Sequence, residues 1–89
     1  MKIALSGSSG FVGSSLIDLL DFYFVPIPRL SSIIPSDCRH VIHLGGIAHD
    51  LKSVRNEEEY FEVNTEWTKK LFDQFLISSA ETFIFFSSI

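Results

Sequence analysis

The chain has 89 residues, 46% of them hydrophobic and 20% charged, with a formal net charge of −4 and a single cysteine, Cys38. That length allows one small domain, one that buries only about 60–65% of its unfolded surface, and the composition excludes a disordered chain. The acidic balance argues against a nucleic-acid partner, one cysteine allows no internal disulfide, and no apolar run approaches the roughly 20 residues of a membrane span.

Taken in chain order, Lys2 to Ser6 is predicted to form a short buried strand. It lacks the charged start and long apolar stretch of a secretion signal, so a cytoplasmic location is expected. Gly7, Gly10 and Gly13 follow at spacings of three. A strand, a glycine turn and a helix start in this order suit a pyrophosphate, because residues without a Cβ allow a tight turn and a close backbone approach. The helix start adds free N–H groups and a positive dipole end. The same glycines also fit a plain strand-to-helix turn that binds nothing.

Phe11 to about Asp21 is predicted as a helix, with Leu16, Leu19 and Leu20 on one side. Tyr23 to Ile27 follows as a second strand, which Pro26 places near a sheet edge. Pro28 to Asp37 is prolyl- and seryl-rich and is predicted as a loop. His40 to Leu44 form a third strand, ended by Gly45 and Gly46.

Asn56 caps a second helix, with Glu57 to Glu59 in its first turn and Glu59 reaching back to the cap. This helix runs to about Ser78. Tyr60, Val63, Trp67, Leu71 and Phe75 make its core-facing stripe, and Lys69 and Lys70 suit the macrodipole. Thr82 to Phe86 is the last strand. Strand–helix–strand units imply an α/β fold with a parallel sheet of about four strands and two main helices. The link between the second and third strands has no helix. About 12 extended residues reach roughly 40 Å, enough to cross two strand spacings and return along a strand, so the expected order is second-first-third-fourth with a nearly straight link.

These motifs together resemble the extended short-chain dehydrogenase/reductases, and more narrowly the NAD-dependent epimerase/dehydratases that act on nucleotide sugars. Gly7-x-x-Gly10-x-x-Gly13 is similar to the family's cofactor turn, and Val41-Ile-His-Leu-Gly45-Gly46 to its "V-I-H-L-A-A/G" strand. Val63-Asn64-Thr65 with Thr68 resembles its "V-N-x-x-x-T" helix, and Phe83 to Ser88 the strand that carries its catalytic Ser or Thr. Gly46 to Asp50 is similar to a bacterial sugar-epimerase branch.

The resemblance implies a partial Rossmann-like fold, with residues 1–89 as the N-terminal part of an NAD(P)-binding domain. It implies a pyrophosphate held by the turn from Gly7 to Val12, with Gly7, Ser9, Gly10, Phe11, Val12 and Gly13 as cofactor-binding residues. Leu44, Gly45 and Gly46 would line the adenosine and ribose side. Asn64 would steady the active-site wall, although a satisfied core amide is the competing role for it. Ser88 would be the catalytic hydroxyl on the reacting sugar, preceded by Ser87. NAD or NADP would be the cofactor, and a nucleotide sugar the substrate of a full-length form.

Three departures from the family stand out. Its Tyr-x-x-x-Lys pair is absent: Ile27 and Asn64 stand four residues after Tyr23 and Tyr60. An extra helix and strand of many members, between the second strand and the His-Leu strand, are lacking. Pro28 and Arg29 occupy the place of the ribose-binding acid. Arg29 would favour a 2′-phosphate, hence NADP, or is an ordinary surface arginine. The missing pair, and a last strand that would leave Phe83, Phe85 and Phe86 uncovered, lead us to expect a truncated, inactive enzyme. A non-catalytic dinucleotide-binding module is the alternative. Cys38, His40, His43 and His49 match no zinc spacing, so the histidines are expected to be structural, and Ser87 and Ser88 lack a nucleophile elbow.

Overall fold

The computed structural model describes residues 1–45 and 57–86. Six elements follow in order: β1 (Lys2–Ser6), α1 (Phe11–Leu19), β2 (Tyr23–Ile27), β3 (His40–His43), α2 (Glu57–Ile77) and β4 (Thr82–Phe85). The strands form one parallel sheet in the order β2-β1-β3-β4, as the sequence leads one to expect. Ile3, Ala4, Leu5 and Ser6 are all buried, because β1 is an inner strand covered on both faces and needs apolar residues at consecutive positions. Pro26 sits on β2, an end strand of the sheet, where a missing N–H leaves no ladder partner stranded.

Side chains alternate along each strand, so the register sorts them between the two faces. Ala4, Val25, Val41 and Phe83 share one face, and Ser6, Ile27, His43 and Phe85 continue it toward the strands' C-terminal ends. The core lies on this face, where Leu71 of α2 meets Ala4, Ile27, Val41 and Cys38, with Ile34, Phe75 and Phe83 packed around them. Ile34 and Cys38 come from the β2–β3 link. That link carries no helix, and turns closed by Ser31 N–H to Pro28 O and Cys38 N–H to Pro35 O punctuate it. It is tied to α2 and to the turn after it. The Trp67 indole N–H donates to Ser31 O at 2.7 Å, and the Ser79 hydroxyl to Ser36 O. Burial pushes the Cys38 thiol pKa up, keeping it protonated in the core. At the other end of the strands Lys2 pairs with Asp37 and lies over the Tyr23 ring.

Several expectations need correction. Helix α1 ends at Leu19 because Leu20 is already extended, letting Tyr23 N–H reach Met1 O and start β2. Leu19 and Leu20 are exposed and Leu16 is half-buried, so the three leucines do not form a common inward side. Among the described side chains of α2 the buried ones are Asn64, Trp67 and Leu71, while Val63 is 40% exposed. The inward stripe is therefore rotated toward Asn64. Lys69 and Lys70 are not in the last turn of α2, which has no basic residue, so they lie outside the range of the helix dipole's end. Phe85 and Phe86 are exposed as expected, whereas Phe83 is half-buried against Phe72 and Phe75. Asn56 lies outside the described residues. Among the described residues no helix is long and apolar enough to cross a membrane.

Candidate functional site

β1 continues through α1 to β2 on one side of the sheet, and β3 through α2 to β4 on the other. Where neighbouring strands part in this way, a crevice opens outside their C-terminal ends. A cavity of about 440 Å³ lies there. The glycine turn from Gly7 to Gly10 forms one side of it, together with Val12 and Gly13. The end of β2 contributes Pro26 to Arg29, and Leu44, Gly45 and Trp67 close the opposite side.

Each glycine of the turn has its own reason. Gly7 takes φ +74°, and a Cβ there would stand 3.1 Å from both Leu44 Cβ and Gly45 N, so the two loops meet at this point. Gly13 lies against the loop: a Cβ on it would be 2.1 Å from Gly7 O. Gly10 is the N-cap of α1, in an extended conformation with no side-chain cap, and the first turn of α1 holds no acidic residue. The first N–H groups of α1 and the positive end of its dipole are therefore left for whatever enters the cavity.

The opposite wall is held by a buried polar chain. Ser6 Oγ accepts the N–H of Leu44 (3.0 Å) and of Gly45 (3.1 Å) and also bonds His43 Nδ1. His43 Nε2 bonds Thr68 Oγ1 at 2.8 Å, and the Thr68 hydroxyl donates to Asn64 O at 2.9 Å. The His43 ring is fully buried, edge-on to Trp67 at 4.8 Å and stacked on Phe85 at 5.3 Å. Desolvation in this apolar shell lowers its pKa from 6.5 to about 4, so the ring is neutral at physiological pH. Trp67 packs directly over Gly45, where a Cβ would lie 2.2 Å from the indole.

Of the residues singled out from sequence, Gly7, Ser9, Gly10, Val12, Gly13, Arg29, Leu44 and Gly45 line this one cavity. Phe11 opens α1 beside it. Asn64 is buried but does not line the cavity, and its side-chain amide has no hydrogen-bond partner among the described residues. Gly46, Ser87 and Ser88 lie outside the described residues. Ser8, within the Gly7 to Val12 turn, lines the cavity too; sequence reasoning missed Pro26, Ile27 and Pro28 as lining residues, and placed Trp67 only in the core stripe. It also missed the Ser6–His43–Thr68 chain. A signal was available: Ser6 and His43 are polar residues ending two adjacent apolar strands, paired in register.

The sequence model of the NAD dependent epimerase/dehydratase family matches residues 25–89, most of the chain, beginning after the glycine turn. No curated protein and no solved structure matches the chain.

Proposed function

The chain belongs to the NAD-dependent epimerase/dehydratase family, and from that premise we propose that the cavity beside α1 binds the dinucleotide cofactor. In this reading the N–H groups at the start of α1 receive the pyrophosphate. Leu44 and Gly45 line the adenosine side, and Arg29 meets a 2′-phosphate, favouring NADP over NAD. The carrying observation is the uncapped, acid-free N-terminus of α1 opening on a cavity walled by the glycine turn.

Bound NAD(P) supplies hydride transfer, by which relatives of this kind oxidise and re-reduce, or dehydrate, a sugar position on a nucleotide sugar. This chain's residues contribute orientation: the turn fixes the phosphates, and the buried polar chain fixes the facing wall. The 89 residues contain no Tyr-x-x-x-Lys pair. We therefore assign them cofactor binding without proton abstraction, and expect them to be inactive alone. Ser88 remains the proposed catalytic hydroxyl on the sugar, with Ser87, Gly46, Phe11 and Asn64 completing the proposed site. A non-catalytic dinucleotide-binding module is the alternative reading, and its cavity would be the same.

Isothermal titration with NAD(H) and NADP(H) tests the binding claim. Heat and a thermal shift are expected, and both should disappear in Gly10→Val, which puts a branched side chain where the pyrophosphate must lie. No response at saturating dinucleotide, or unchanged affinity in Gly10→Val, would refute it.

A further inference from the structure

The polar chain behind the β3 wall has a single self-consistent proton order. The Thr68 hydroxyl hydrogen is committed to Asn64 O, so Thr68 Oγ1 accepts from His43 Nε2–H. His43 Nδ1 is then bare and accepts the Ser6 hydroxyl hydrogen. With its hydrogen directed there, Ser6 Oγ turns its lone pairs to the N–H groups of Leu44 and Gly45. The reverse order would make Ser6 Oγ accept three N–H groups while its own hydrogen had no acceptor. A second proton on His43 has the same effect, because Nδ1–H would then face a hydroxyl whose lone pairs are already used.

We propose that His43, held in the Nε2–H tautomer, is a positioning residue for the cavity, and that its protonation releases the Leu44–Gly45 wall and weakens dinucleotide binding. The proposal rests on the reading that the cavity holds a dinucleotide. Among the described residues no charged side chain faces the ring. β1 presents Ser6, β4 presents Phe83 and Phe85, and α2 presents Trp67 and Thr68, with the Asn64 carbonyl behind the hydroxyl. None of these groups titrates in the acid range, so among the described residues around the ring His43 alone can carry an acid response of the wall. Gly45 is the sensitive point, because Leu44 N–H also reaches Ser6 O whereas Gly45 N–H is held by the Ser6 hydroxyl.

Two partial mimics of the imidazole divide the chain at the ring. His43→Asn keeps an acceptor at the Nδ1 position and loses the bond to Thr68; His43→Gln keeps the donor to Thr68 and loses the acceptor for Ser6. Titration of the full chain with NADH and NADPH, together with amide exchange at Gly45 and imidazole ¹⁵N shifts, reads each half. We expect imidazole ¹⁵N shifts of the Nε2–H form in the wild type, and a smaller loss of affinity in His43→Asn than in His43→Gln. Affinity should fall about tenfold in His43→Gln and Ser6→Ala, the effect of one lost buried hydrogen bond, with faster exchange at Gly45. Wild-type affinity should also fall as the pH is lowered toward 4, and His43→Asn should not follow it.

Protonation at Nδ1, unchanged Gly45 exchange in Ser6→Ala, or wild-type affinity in His43→Gln would overturn the proposal. If the wild type binds no dinucleotide, the binding reading fails, and with it the claimed effect on affinity. The ¹⁵N and exchange measurements still decide the proton order and its hold on the wall. Thermal unfolding of each variant separates a moved wall from a lost fold.

Discussion

Acid should destabilise this domain through His43 by an amount that can be worked out. The ring titrates at about 4 when folded and at 6.5 in its ordinary state, with desolvation as the cause. Between those values the unfolded chain binds a proton that the folded chain refuses, so stability falls as pH falls. The loss begins near 6.5 and is complete near 4. At about 1.4 kcal/mol per unit it totals about 3 kcal/mol, of which about 2 has gone by pH 5. For a domain of ordinary stability, about 5–15 kcal/mol, that is a large share. The assay is urea unfolding from pH 8 to 4.5 at fixed ionic strength, wild type beside His43→Asn. Carboxylates titrate in the same range but contribute equally to both proteins, so the divergence of the two curves isolates the ring. The variant starts lower, having lost the Thr68 bond and ring contacts, but its curve should be flatter. Parallel curves between pH 7 and 5, or an NMR titration of His43 near 6.5, would refute the argument.

Other expectations follow from the same structure. Leu71→Ala, at a fully buried position in the core, should cost about 2–5 kcal/mol in urea unfolding. Gly13→Ala forces a Cβ to 2.1 Å from Gly7 O; it should cost about 1–3 kcal/mol, measured by thermal unfolding, and reduce dinucleotide affinity as the turn is displaced. Arg29→Ala should weaken NADPH binding about tenfold while leaving NADH nearly unchanged in parallel titrations.

The sheet was legible in the sequence because each strand is a short apolar run, the first three punctuated by glycine or proline, and because the helix-free link permitted few orders. Element ends were less legible. The end of α1 depends on Tyr23 N–H meeting Met1 O, a contact between residues far apart in sequence. On α2 the inward positions of Trp67, Leu71 and the polar Asn64 were legible, and only Val63, 40% exposed, was misplaced, because hydrophobicity alone favoured it. The glycine side of the cavity was readable from spacing alone. Its other side was readable only in part: Leu44 and Gly45 stood out at the end of a strand, but Trp67 reaches the cavity only because Gly45, on a different element, leaves room for the indole. The Ser6–His43–Thr68 chain joins three elements, and only its strand-end polar residues were visible beforehand.

Trp67 is the sole tryptophan of the chain, and it borders the cavity. Excitation at the indole band therefore samples this one locus with no background from elsewhere. A compound settling beside it would alter emission intensity or wavelength directly, and a reduced nicotinamide could accept energy from it. The molecule thus carries a native optical probe at the place where occupancy has to be measured, and no label need be attached.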